Sequence, residues 1–151
     1  MIKRSAQHGT IRLERRYKAP ADRVFAAWAE PKARAKWDVP GRWVIAEQTF
    51  DFREGGRELK RFGPKGDPHL VADTLYLDIV PRRRIVFSYS MTSRGAPISV
   101  SLTTVELSPD DRDTHLLLTE QIAFLDGRDD AAHREEGLAS MLDKIGDTLS
   151  G

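Results

Sequence analysis

In the stretch LLLTEQIAFLDG, from Leu116 to Gly127, one acid stands in an apolar row. Side chains of a strand alternate between two faces. Leu116, Leu118, Ile122 and Phe124 therefore share a face, and Glu120 shares it with them. An ionised carboxylate in apolar surroundings must be paired, hydrated or protonated. One reading is a satisfied buried acid, bonded to a backbone N–H, a water or an arginine. The other is a polar anchor that recognises a ligand hydroxyl, amide or amine. Arg134 is the first candidate partner, because it lies four residues before Leu138 on the inward stripe of a helix. Tyr89 is in phase with Ile85, Phe87 and Met91, so its hydroxyl is expected to enter the core or a cavity and find a partner there.

Other chemical candidates are weaker. His69 and Asp73 share a face with Val71, Leu75 and Leu77, but His69 lies beside the turn-forming GPKGDP, where a surface histidine is ordinary. Ser99, Ser101 and Thr103 alternate with Ile98, Val100 and Leu102 and read as a solvated face. No histidine base is placed beside any of them, so none reads as a nucleophile. The four histidines, at 8, 69, 115 and 133, lack metal-ligand spacing, so no metal or cofactor is expected. FREGGR lacks the lysine and the strand–loop–helix context of a phosphate loop, and Gly55-Gly56 fit a hairpin turn instead.

Composition narrows the partners. The chain has 151 residues, enough for one domain with its own core, expected to span 1–151. Lys plus Arg number 24 and Asp plus Glu 23, so the basic excess that nucleic-acid binding calls for is missing. No apolar run approaches the roughly 20 residues of a membrane span. The N-terminal stretch is charged without an apolar segment, so no secretory signal is expected. The absence of cysteine removes thiolate chemistry and is compatible with the expected cytoplasmic location. Nothing in the residues fixes an oligomeric state.

The elements that must position Glu120 follow from periodicity. GTIRLERRY alternates as a first strand, with Ile11, Leu13 and Tyr17 in phase. Pro20 suits a helix start, and Val24, Phe25 and Trp28 make an apolar stripe. Glu30-Pro31 breaks the pattern before a second short helix reaching Trp37. Five turn clusters, REGG, GPKGDP, PRRR, SRGAP and SPDDRD, then punctuate runs rich in Val, Ile, Phe, Tyr and Thr. Consecutive antiparallel hairpins, about seven strands in all, are the expected result. Leu138, Met141, Leu142, Ile145 and Leu149 recur at helical spacing after an Asp129 or Asp130 cap. Gly137 costs that helix about 1 kcal/mol relative to alanine and reads as a point of close packing against a strand. The class is α+β: a curved antiparallel sheet around one long C-terminal helix, with a gap between them.

Taken in order, YKAPADRVFAAWAEPKARAKW, TFDFREGGRELKRFG, LYLDIVPRRRIVFSYSM, TEQIAFLDG and REEGLASMLDKI resemble the SRPBCC (START-like) superfamily. The nearest likeness is to the bacterial branch related to the activator of the ninety-kilodalton heat-shock protein ATPase. The resemblance runs from about Thr10 to Leu149 and implies the helix-grip fold. It also implies a small, largely apolar ligand in the enclosed cavity. Polar contacts from Glu120, Tyr89 and Arg134 are expected there. Phe87, Leu118, Ile122, Leu138 and Met141 would supply the apolar wall, and Trp37 either core or a gate at the mouth.

Two positions depart from many relatives: Asp38 replaces a second aromatic after Trp37, and Glu120 replaces a histidine. Histidine-dependent chemistry therefore does not transfer, and no separate N-terminal co-chaperone domain is expected. With one inward acid and no second catalytic group, binding is favoured over a cyclase- or hydrolase-type reaction using Glu120 as acid or base. Chaperone modulation through an outer surface stands as a further alternative.

Overall fold

The computed structural model describes residues 4–150. Strand β1 (Ala6–Tyr17) leads through helices α1 (Ala21–Ala29) and α2 (Pro31–Arg34) to strand β2 (Trp43–Phe50). Strands β3 (Arg57–Pro64), β4 (Leu70–Val80), β5 (Arg84–Ser93), β6 (Ala96–Asp110) and β7 (Asp113–Leu125) follow, and helix α3 (Ala131–Ser150) ends the chain. The strands form one antiparallel sheet in the order β1-β7-β6-β5-β4-β3-β2. Each of the five turn clusters joins two neighbours in that order, so the hairpins are consecutive. The two short helices do the one long crossing, from the β1 edge to the β2 edge.

Three register irregularities, at Ile45/Glu47, Tyr76/Asp78 and Met91/Thr92, interrupt the ladders. Such bulges bend a strand and increase its twist. The sheet thus curls around α3 as the sequence implies. Asp130 caps the helix, its carboxylate accepting from the His133 N–H at 2.8 Å. This satisfies one of the donors that a helix start leaves free.

The two halves of α3 do different work. Leu142, Ile145 and Leu149 are buried with Val24, Ala27 and Trp28 of α1, Tyr17 of β1 and Leu116 of β7. That cluster is the main core. The N-terminal half carries Arg134, Leu138 and Met141 over the concave face instead.

Two sequence expectations are corrected. Ser99, Ser101 and Thr103 face inward, while Val100 and Leu102 lie 49% and 40% exposed on the outer face. The alternation is right and the faces are exchanged, because the hydroxyls bond to Arg134 and Glu120 beneath the helix. Gly137 does not pack closely against a strand: a Cβ there would meet nothing within 4 Å. The close helix–strand approach is at Gly146, where a Cβ would lie 3.2 Å from the Tyr17 ring. That ring is held by its own hydrogen bond to the Leu142 carbonyl at 2.8 Å.

Glycine in an exposed helix interior costs about 1 kcal/mol relative to alanine. Gly137→Ala should therefore raise stability by about 1 kcal/mol, roughly 2–4 °C in melting temperature for a domain of this size. Gly56→Ala should be severely destabilising, because its Cβ would overlap the Asp51 carbonyl oxygen. Thermal and urea denaturation of the two variants measures both.

Candidate functional site

Between the concave face and the N-terminal half of α3 lies a cavity of about 500 Å³. Its floor comes from inward residues of β3 to β7, and α3 covers it. The stretch Asp38–Pro40 and Trp43 complete one side. Glu120, Tyr89, Arg134, Trp37, Phe87, Leu118, Leu138 and Met141 all line this space. Ile122 does not: it packs with Ile11 and Phe124. Arg134 reaches Ser101, the cross-strand neighbour of Ile122, and so closes that row off from the cavity. Trp37 is buried edge-on against Trp28, 5.0 Å between ring centroids, and its indole N–H donates to the Ala27 carbonyl. It forms part of the cavity wall.

Glu120 is 1% exposed, and its carboxylate is met by three donors. The Thr103 hydroxyl donates to Oε1 at 2.7 Å; the Tyr89 hydroxyl and Arg134 Nη1 reach Oε2 at 2.8 and 3.2 Å. Arg134 also donates to the Tyr89 and Ser101 hydroxyls through Nη1. Its Nη2 serves Ser99 and Asp129. Burial, then the neighbouring Glu120 charge, pushes the Tyr89 phenol well above its ordinary range, so it stays a neutral donor. Burial opposes the charge of Arg134, but Tyr89, Glu120 and Asp129 outweigh it and hold the guanidinium protonated. Burial likewise pushes Asp129 up, yet the Asp130 N–H, His133 and Arg134 bring it below the usual carboxylate range.

A second buried polar cluster, which the sequence reading missed, stands at the β3 side. Arg34 of α2 donates to both oxygens of Glu58 at 3.0 and 3.1 Å and to Asp38 at 3.1 Å. Tyr76 donates to Glu58 at 2.8 Å, Gln48 bonds to Glu58 and Asp38, and Lys60 donates to Asp38 at 2.9 Å. Burial pushes the Asp38 carboxyl up, but the Arg34 and Lys60 charges more than reverse it and leave it below its ordinary value. The one sequence signal for this cluster was Asp38 itself, an acid where an aromatic is common.

Between the two clusters the wall is aromatic and aliphatic. The Phe87 ring stands 5.8 Å from Tyr76 and 6.2 Å from Tyr89, so one apolar ring separates the two phenols. His69 and Asp73 form no dyad. His69 Nδ1 meets the Ser93 hydroxyl at 2.7 Å, and Asp73 pairs loosely with Arg57 on the outer face. Among the described residues no cluster of His, Cys, Asp or Glu could hold a metal ion, and no helix is long and apolar enough to cross a membrane.

A curved antiparallel sheet closed over a polar-ended cavity by one long helix defines a helix-grip protein. The chain belongs to the Activator of Hsp90 ATPase homolog 1-like protein family, whose model matches residues 18–150. Among solved structures it is similar to Mll3558 from Rhizobium loti, at 46% identity and a TM-score of 0.89 over 96% of this chain and 99% of that one. An uncharacterised protein from Rhizobium leguminosarum is 38% identical, with a TM-score of 0.88 and 98% of each chain covered. CV1439 from Chromobacterium violaceum is 26% identical, with a TM-score of 0.81 over 94% of this chain and 97% of that one. A search of curated proteins gives no match.

Removing one partner of a buried ion pair costs about 3–5 kcal/mol, because the other charge is left uncompensated. Arg134→Met should lose about that much in urea denaturation. Adding Glu120→Gln to Arg134→Met should recover more than half of the loss, which a double-mutant cycle measures.

Proposed function

We propose that the protein binds a small, largely apolar molecule in this cavity, in a cytoplasmic setting, and that it is a binding protein rather than an enzyme. The observation that carries the reading is an apolar space of about 500 Å³ whose wall ends on Glu120, Tyr89 and Arg134. Ligand pockets commonly have this size, with a few convergent polar groups that fix orientation. A family that commonly holds hydrophobic ligands supports the same reading.

Catalysis is less well supported. A general base must have its oxygen free to take a proton from substrate. The oxygens of Glu120 already accept from Thr103, Tyr89 and Arg134. Tyr89 holds its own proton too firmly to serve as a base. Chaperone modulation would use a different surface, the outer sheet face where Leu59, Leu77, Val100 and Leu102 are exposed.

The test is a thermal-shift screen with lipophilic amines, phenols and fatty acids. A ligand at 100 times its dissociation constant adds about 2.7 kcal/mol of stability. That corresponds to roughly 5–10 °C for a domain of this size. A hit should lose its shift in Gly137→Phe, which adds a ring at the mouth where a Cβ meets nothing, while the unliganded protein remains folded. An undiminished shift in that variant would place binding outside the cavity, and a panel without hits would turn the search to protein partners.

A further inference from the structure

We infer that the cavity's ligand is an apolar monocarboxylate whose acid group is held by Lys60 and Lys144, at the end of the cavity opposite Glu120. This rests on the cavity-binding reading and adds the ligand's charge and orientation.

Charge and hydrogen-bonding capacity are divided unevenly along the cavity. At the Glu120 end a single guanidinium, Arg134, faces two carboxylates, Glu120 and Asp129. Glu136, two residues after Arg134 in α3, also lines the cavity. At the other end the balance is reversed. Arg34, Lys60 and Lys144 are set against Asp38 and Glu58 only, a surplus of one positive charge.

The acceptors at that end are close to saturated. A carboxylate offers about four acceptor sites. Glu58 receives two bonds from Arg34, one from Tyr76 and one from Gln48. Asp38 receives Arg34, Gln48 and Lys60. The donors are not saturated. Lys60 Nζ bonds to the Asp38 carboxylate at 2.9 Å and its carbonyl at 3.4 Å, which leaves one N–H. Lys144 Nζ bonds to the Val39 carbonyl at 2.5 Å, and no carboxylate lies within ion-pair distance of it among the described residues. The indole N–H of Trp28 and the Nε–H of Arg34 are buried there without a partner.

The two lysines come from different elements, β3 and α3, yet they hold the adjacent carbonyls of Asp38 and Val39. Both ammonium groups thereby line the cavity beside the Asp38–Val39 stretch, with spare donors and a net single positive charge. An ammonium is a strong partner for a carboxylate when partly shielded from water. A neutral ligand would leave these donors unmatched, and a dianion would exceed the charge available. The apolar body of the acid would then run over Met91, Phe87, Leu118 and Met141 towards Tyr89.

The experiment is isothermal titration of decanoate and of decanol into the wild type, Lys144→Met and Lys60→Gln. Decanoate should bind the wild type at least about tenfold more tightly than decanol, the worth of one charge-assisted hydrogen bond. Lys144→Met, which gives up only a bond to a carbonyl in the folded chain, should erase that preference, so that decanoate binds no more tightly than decanol to the same variant. Equal affinities in the wild type, or a preference that survives in both lysine variants, would overturn the carboxylate inference while leaving cavity binding intact. Failure of both ligands to bind the wild type would overturn the inference together with the cavity reading.

Discussion

A carboxylate and a guanidinium, both buried and 3.2 Å apart, tie the last strand to the last helix. Taking two such charges out of water is costly, and apolar residues of similar volume often pack as well or better. The pair therefore needs its surroundings. Thr103 and Tyr89 complete the solvation of Glu120, while Ser99, Ser101 and Asp129 complete that of Arg134. These bonds come from β5, β6, β7 and the start of α3. They fix the height of the helix over the sheet at its N-terminal half, which an apolar contact alone would let slide inward.

That height is what leaves the cavity open. The C-terminal half of α3 sits down on the core through Leu142, Ile145 and Leu149, with Gly146 against Tyr17. The N-terminal half is held off by a polar strut, and Gly137 adds no side chain to fill the space beneath. The bulges in β2, β4 and β5 help the sheet to curl around the helix on the far side. There the Arg34–Glu58–Asp38–Lys60 cluster pins α2 and the following loop to β3. The cavity is thus bounded by two buried polar clusters, with Phe87 between their tyrosines.

The sequence disclosed some of this arrangement and concealed the rest for definite reasons. Glu120 was legible because an acid in phase with Leu116, Leu118, Ile122 and Phe124 violates the alternation of its strand. Arg134 was legible by its spacing from Leu138. The hairpins were legible because each turn cluster is rich in the Gly, Pro, Asp and Ser that favour turns, as at Gly55, Gly66, Gly95 and Asp111, whose φ angles are positive. The inward serines were not, since Val100 and Leu102 have the composition of an inner face. Only the long-range partner, Arg134, reverses that assignment. Glu58 and Lys60 were hidden in the same way: they alternate with Leu59, and a local rule places Leu59 inside. In the structure Leu59 is 46% exposed and the two charges are buried, because Arg34 and Asp38 come from a segment some twenty residues earlier. Wherever a polar residue is buried by a distant partner of opposite charge, strand periodicity alone points the wrong way.

The most direct test of the cavity as the binding site is a methyl NMR titration with an apolar carboxylate, using protein labelled at Met, Leu and Val methyl groups. Two of the chain's three methionines, Met91 and Met141, line the cavity on opposite sides, one on β5 and one on α3. Their methyl signals should shift together and saturably, with Leu118 and Leu138 following. Shifts confined to Leu59, Leu77, Val100 and Leu102 on the outer face, with Met91 and Met141 unmoved, would contradict it.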